Sequence, residues 1–138
     1  MRTVGIDRRG AFMVASGPRH DPDREHLHVI CTDADIYGLV LIVPICSVVD
    51  HRDDHGCRLA RHEHPFLRHA SFVNYNEAEI VETRRLQRML MECALRGSED
   101  VNPQVFLRIV NGFERTLFLR EKTRRYLLAL ATEQRKAA

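Results

Sequence analysis

The apolar positions of this chain change period once. Up to about residue 82 they come in short runs: AFMVA at 11 to 15, LHVICT at 27 to 32, GLVLIVPI at 38 to 45, SFVNY at 71 to 75 and EIVE at 79 to 82. Turn-forming residues separate them, among them Gly17-Pro18, Asp33 to Asp35 and His55-Gly56. Closely spaced strands of this kind predict a small antiparallel sheet or barrel. LVLIV is apolar at every position, which predicts a central strand covered on both faces. Pro44 has no amide hydrogen, so it is expected to limit pairing and to bend the chain, making Ile45, Cys46 and Ser47 a strand end.

From Thr83 the period becomes helical. Leu86, Met89, Leu90, Cys93 and Ala94 recur at helix spacing, with Gly97 as a stop. Asn102 before Pro103 predicts a capped helix through Val105, Phe106, Ile109 and Val110 to Gly112. A third helix is expected over residues 117 to 134, including Tyr126, Leu127, Leu128 and Leu130. No linker separates the two parts, and there is no internal repeat or low-complexity segment. The chain is therefore expected to be a single α+β domain over 1–138: a β-rich part at about 1–82 and a helical extension at 83–138 packed on it.

Composition adds limits. A chain of 138 residues with 44% apolar content can bury a core of its own. With 21 Lys and Arg against 19 Asp and Glu, net charge argues for no partner. Its distribution says more, because arginines and lysines cluster from residue 84 onward while aspartates dominate the loops near 20 to 35 and 50 to 54. The start of the chain lacks the apolar run of a signal peptide, and no stretch reaches the roughly 18 residues needed to span a bilayer, so a cytoplasmic protein without a membrane partner is expected. Four cysteines in a reducing compartment are expected as thiols.

The chemistry centres on HEHPFLRH at residues 62 to 69. With His51, His55 and Cys57 nearby, His62, His64 and His69 are the right kinds of donor for zinc, but no standard spacing is present, and solvated loop histidines are the expectation; no metal or other cofactor is assigned. Pro65 restricts His64 to an extended backbone and so to a defined side-chain direction, which suits either a binding role or a hydrogen bond that stabilises the turn. Strand alternation places His69, Ser71, Val73 and Tyr75 on one side and Asn74 on the other. Imidazole, hydroxyl and phenol on one face could bind a phosphate and stack a base, or form a half-exposed sheet face. Cys46 is expected as a small core residue rather than a nucleophile. The arginine pairs at 84 and 85 and at 124 and 125 are expected on solvated helix faces unless they share a surface with the strand ends.

The order of these segments resembles the MazF/PemK superfamily of toxin-antitoxin ribonucleases. The resemblance rests on a Gly-Pro loop, the strand HLHVICTDAD, the apolar strand closing in VPICS, and SFVNYNEAEIVETRRL, and it covers roughly residues 8 to 90. Asp54, Cys57 and Leu59, followed by Glu63-His64-Pro65-Phe66, His69, Ser71, Val73 and Tyr75, look like a divergent branch. The resemblance implies an SH3-like antiparallel barrel, a homodimer, an antitoxin partner, and single-stranded RNA lying across the strand ends; the two or three C-terminal helices expected from the helical spacing have no close counterpart in the ordinary toxins. It also implies metal-independent cleavage, in which an activated 2′-hydroxyl attacks the adjacent phosphate while an arginine stabilises the charge.

Two departures stand out. Cys46 replaces the motif threonine, although Ser47 matches, and the late arginine of active toxins falls near Ala78. Under this resemblance, Ser47, His64 and His69 are the catalytic candidates, with His64 or His69 supplying the acid or base. Arg19, Arg61, Ser71 and Tyr75 are the RNA-binding candidates. The alternative is a non-catalytic interaction module on the same barrel.

Overall fold

Short, largely buried apolar runs organise the first half of the chain into one sheet of strands of unequal length. The computed structural model describes residues 6–15, 19, 24–48 and 53–137. Seven strands form the sheet: β1 Ala11–Ala15, β2 Glu25–Ile30, β3 Leu39–Ser47, β4 Arg58–Leu59, β5 Ser71–Val73, β6 Glu79–Glu82 and β7 Arg96–Ser98. Three α-helices follow or interrupt them: α1 Thr83–Met91, α2 Pro103–Arg115 and α3 Glu121–Ala137. The expected Gly17-Pro18 turn lies outside the described residues.

The strand order is β4-β5-β3-β2-β1-β7, with β6 also on β3, and every pairing is antiparallel. The expected closed barrel is not formed. Among the described strands β4 and β7 end the path and do not pair with each other, so the sheet stays open.

Both faces of the sheet are covered, because β1 to β3 carry apolar residues on both sides. Ala11, Met13, Leu27, Val29, Leu41, Val43, Ile45 and Val73 point to one face, where they meet Val105, Ile109 and Phe113 of α2 and the partly buried Tyr126 and Leu127 of α3. Phe12, Ile30, Val40 and Ile42 point to the other, under Leu86 of α1 and Leu95. We call the α2 side the inner face. The helical extension thus completes the core of the sheet rather than decorating it.

Pro44 does not end its strand. β3 runs through it to Ser47, with Pro44 opposite His28 of β2. A strand residue directs its N and C=O to the same side, and the Pro44 carbonyl accepts the Asn74 amide at 2.9 Å. The missing donor therefore falls between β5 and β6, opposite the 3₁₀ turn Tyr75–Glu77 that interrupts them, where no ladder bond is lost.

α1 is shorter than its apolar spacing predicts. It ends at Met91, Cys93 takes a left-handed backbone with φ of 59°, and Arg96–Ser98 turn back to pair with β1. Gly97 is therefore a strand residue and not a helix stop. α2 begins as expected: the Asn102 side-chain oxygen accepts the Gln104 and Val105 amides at 2.8 and 3.4 Å, with Pro103 in the first turn. Residues 117 to 120 precede α3 rather than belonging to it.

Candidate functional site

The end of β3 meets the start of β5 on the inner face. Ser47 lies directly opposite Ser71 in the register, beside the Ile45–Val73 pair. Residues paired across antiparallel strands share a face, so both hydroxyl-bearing positions face inward at the sheet margin. There they border an open groove of about 480 Å³. Arg24, Glu25 and His26 border it from the start of β2, Pro65 to His69 from the corner after β4, and Arg96 from β7.

The groove mixes apolar walls, Ile45, Pro65, Phe66 and Leu67, with charged residues that are mostly cationic among those described. Among the described residues that line it are three arginines, Arg24, Arg68 and Arg96, and one carboxylate, Glu25. Glu25 takes Arg96 through a two-pronged contact, Nη2 to Oε1 at 2.5 Å and Nε to Oε2 at 3.2 Å. That use of Nε and Nη2 fixes the plane of the guanidinium. Arg68 and His69 are exposed at the rim. Ser71 is buried, and its hydroxyl donates to the His69 carbonyl at 3.0 Å.

His64 is not a groove wall. It is 4% exposed, with the extended backbone that Pro65 demands. The Phe66 amide donates to its Nδ1 at 3.1 Å, and its Nε2 lies 2.8 Å from the Glu99 carbonyl oxygen. Nδ1 is thus an acceptor, so the ring proton sits on Nε2 and is donated to Glu99. Both nitrogens are committed to backbone, and the acid or base role expected of His64 is not open to it in this arrangement.

Tyr75 is displaced further from expectation. It starts the 3₁₀ turn, is fully buried, and packs edge-on to Phe113 with ring centroids 4.7 Å apart. Its hydroxyl donates to the Ile109 carbonyl at 2.6 Å. Its ring has no face to offer a base. Burial pushes its phenol far above the usual range.

The remaining candidates divide. Ser47, His69 and Ser71 come together at the groove, whereas Arg61 is exposed in the 3₁₀ turn Arg61–Glu63 and does not border it. Arg19 is exposed and also outside the groove lining. Cys46 is buried, its sulfur accepting the Asn74 side-chain amide at 3.7 Å, and burial raises the thiol pKa, as suits a small core residue. Arg124 and Arg125 both face Glu121 on α3, and neither they nor Arg84 and Arg85 border the groove. Ala78, near which the resemblance would put the late arginine, is buried.

Of the zinc donors, His51 lies outside the described residues. His55 faces Asp53, Cys57 is buried and His62 is exposed. No group of three or more potential ligands gathers among the described residues.

Arg24, His26, Arg68 and Arg96 escaped the sequence reading. Arg24 and His26 flank Glu25 in REHLHVI, and extending the predicted strand three residues toward its start would have brought them to the sheet. Arg96 carried no local signal, because its place depends on β7 pairing with β1 more than 80 positions away in sequence, Met13 against Arg96.

No helix among the described residues is long and apolar enough to cross a membrane. No family model matches the chain, and none of the curated proteins compared with it gives a match.

Proposed function

We propose that this groove binds the phosphate backbone of single-stranded RNA, in a cytoplasmic, toxin-like protein related to the MazF/PemK superfamily and built on a variant of its SH3-like sheet. The observation that carries the reading is the joining of three arginines, two serine positions and an exposed imidazole around one concave strand end. Arginine presents a planar fork to phosphate, and a concave cationic surface concentrates a polyanion. An open groove lets a flexible single strand lie across it, where a duplex would need a wider surface. The same resemblance makes a second copy of the chain and an antitoxin protein the proposed partners.

Cleavage is the second reading, and one residue favours it. His69 is exposed at the rim beside Ser47 and Ser71, leaving it as the acid or base among the expected catalytic groups. Against cleavage stand the commitment of His64 and the buried Ala78. The test is fluorescence anisotropy of labelled single-stranded RNA in excess chelator, followed by gel analysis of the same samples. Arg68→Ala is expected to weaken binding and to lower the salt slope by about one unit, the signature of one lost phosphate contact. Absence of salt-dependent binding in the parent would sink the reading. Chelator-resistant cleavage that disappears in His69→Ala would establish the enzyme, and binding without cleavage the interaction module.

A further inference from the structure

The sheet is open by its strand ladder, yet its two ends are tied together. β4 and β7 lie at opposite ends of the strand order. His64 sits in the corner just after β4, and Glu99 immediately follows β7. The 2.8 Å contact between His64 Nε2 and the Glu99 carbonyl, across 35 positions of sequence, therefore bridges the seam that pairing leaves unclosed. On the corner side, the same ring receives the Phe66 amide through Nδ1.

The groove has a wall on each side of this seam. Pro65 to His69 form one and Arg96 belongs to the other. We infer that His64 is a latch that sets the width of the groove, holding Arg68 and His69 at a fixed reach from Arg96. It acts through the walls and touches no ligand, so it is a positioning residue. In this role the inference rests on the RNA reading of the groove, but the latch itself does not.

Two features make the seam a place where width is adjustable. β7 has three residues and β4 two, so little ladder holds either edge. A second tie, from Arg108 of α2 to Glu63 and to the Arg58 carbonyl at 2.6 Å, anchors the corner to the helix. That tie holds the corner in the fold without reaching β7. Loss of the His64 contact therefore loosens the groove while leaving the core intact.

The experiment compares the parent with His64→Phe, which fills the space without bonding, and His64→Gln, whose amide nitrogen can donate to Glu99. Amide hydrogen exchange reads the latch. His64→Phe should speed exchange about tenfold across Arg96–Ser98 and at Phe66, while the amides of β3 keep the parent's rate, and His64→Gln should restore slow exchange across Arg96–Ser98. RNA anisotropy reads the positioning: affinity should fall about five- to tenfold in His64→Phe and recover in His64→Gln.

Unchanged exchange across Arg96–Ser98 in His64→Phe overturns the latch, as does an equal rise at every amide, which marks general loss of stability. Faster local exchange with parental RNA affinity overturns the positioning role. A parent that binds no RNA overturns the reading of the groove and the positioning role with it, while the exchange data still decide the latch.

Discussion

At the residue scale, the decisive contacts are close approaches between chain-distant groups. Tyr75 threads between Gly112 and Gly56. A Cβ at Gly112 would stand 1.8 Å from the Tyr75 hydroxyl oxygen and 2.6 Å from its ring carbon. Gly112→Ala should therefore destabilise the protein by about 2–3 kcal/mol in urea denaturation, since the ring has core on every side and cannot move away. Tyr75→Phe removes only the hydroxyl and its bond to Ile109. A loss of about 1 kcal/mol with unchanged RNA affinity is expected, and weakened binding would restore Tyr75 to the site.

His28 adds a pH effect. It stacks on Phe12 with centroids 5.6 Å apart, and burial lowers its pKa below the usual imidazole range despite its contact with the His26 carbonyl. The unfolded chain gains this proton at about pH 6.5 while the folded one still excludes it, so stability is lost as pH falls through that value. His28→Phe should flatten the thermal midpoint between about pH 7 and pH 5. A slope equal to the parent's would assign the effect elsewhere.

At the element scale, helix starts obey local chemistry and edge strands do not. The Asn102 side chain satisfies two amides that the first turn of α2 leaves unpaired. Asn102→Ala should cost about 1 kcal/mol by denaturant titration, while Asn102→Asp should hold parental stability, because aspartate caps equally well. β3 was predictable as a covered central strand from its unbroken apolar run, and seven of its nine residues are indeed buried. Its passage through Pro44 was not, because tolerance of the missing amide depends on where the neighbouring strands happen to be interrupted. β7 was hidden for a related reason: Arg96-Gly97-Ser98 with its flanks has no strand alternation, and only pairing with β1 makes it a strand.

At the scale of the whole molecule, carboxylates tie loops and helices to the sheet. Burial opposes ionisation of Asp35, Asp53 and Glu63, but hydrogen bonds outweigh it and leave each pKa lowered. Asp35 receives the Leu39 and Tyr37 amides and the Tyr126 hydroxyl of α3, Asp53 the His55 amide and Arg58, and Glu63 Arg108 and the Ala60 amide. A lowered folded-state pKa contributes stability above the unfolded value, near pH 4, that is lost as pH falls through the folded value. Thermal melts between about pH 6 and pH 2.5 should show that loss, with a shallower slope in Glu63→Gln. An identical slope would remove Glu63 from the account.

Periodicity alone determined the α+β class, the places of β1, β3 and β6, the change to helix at Thr83 and the capped start of α2, because each depends on neighbours within a few positions. Strand alternation also placed His69 and Ser71 on one side, whereas Ser47 joined them as a candidate through the family resemblance. Tertiary structure alone decided that Tyr75 is core, that both His64 nitrogens serve backbone, that Arg24, Arg68 and Arg96 share the groove, and that the sheet remains open. These outcomes turn on hydrogen bonds and burial across separations such as 34 residues for Tyr75 to Ile109 and 35 for His64 to Glu99. Side-chain period specifies which way a residue points along its own element; whether solvent or another segment waits there is settled only when the chain closes on itself.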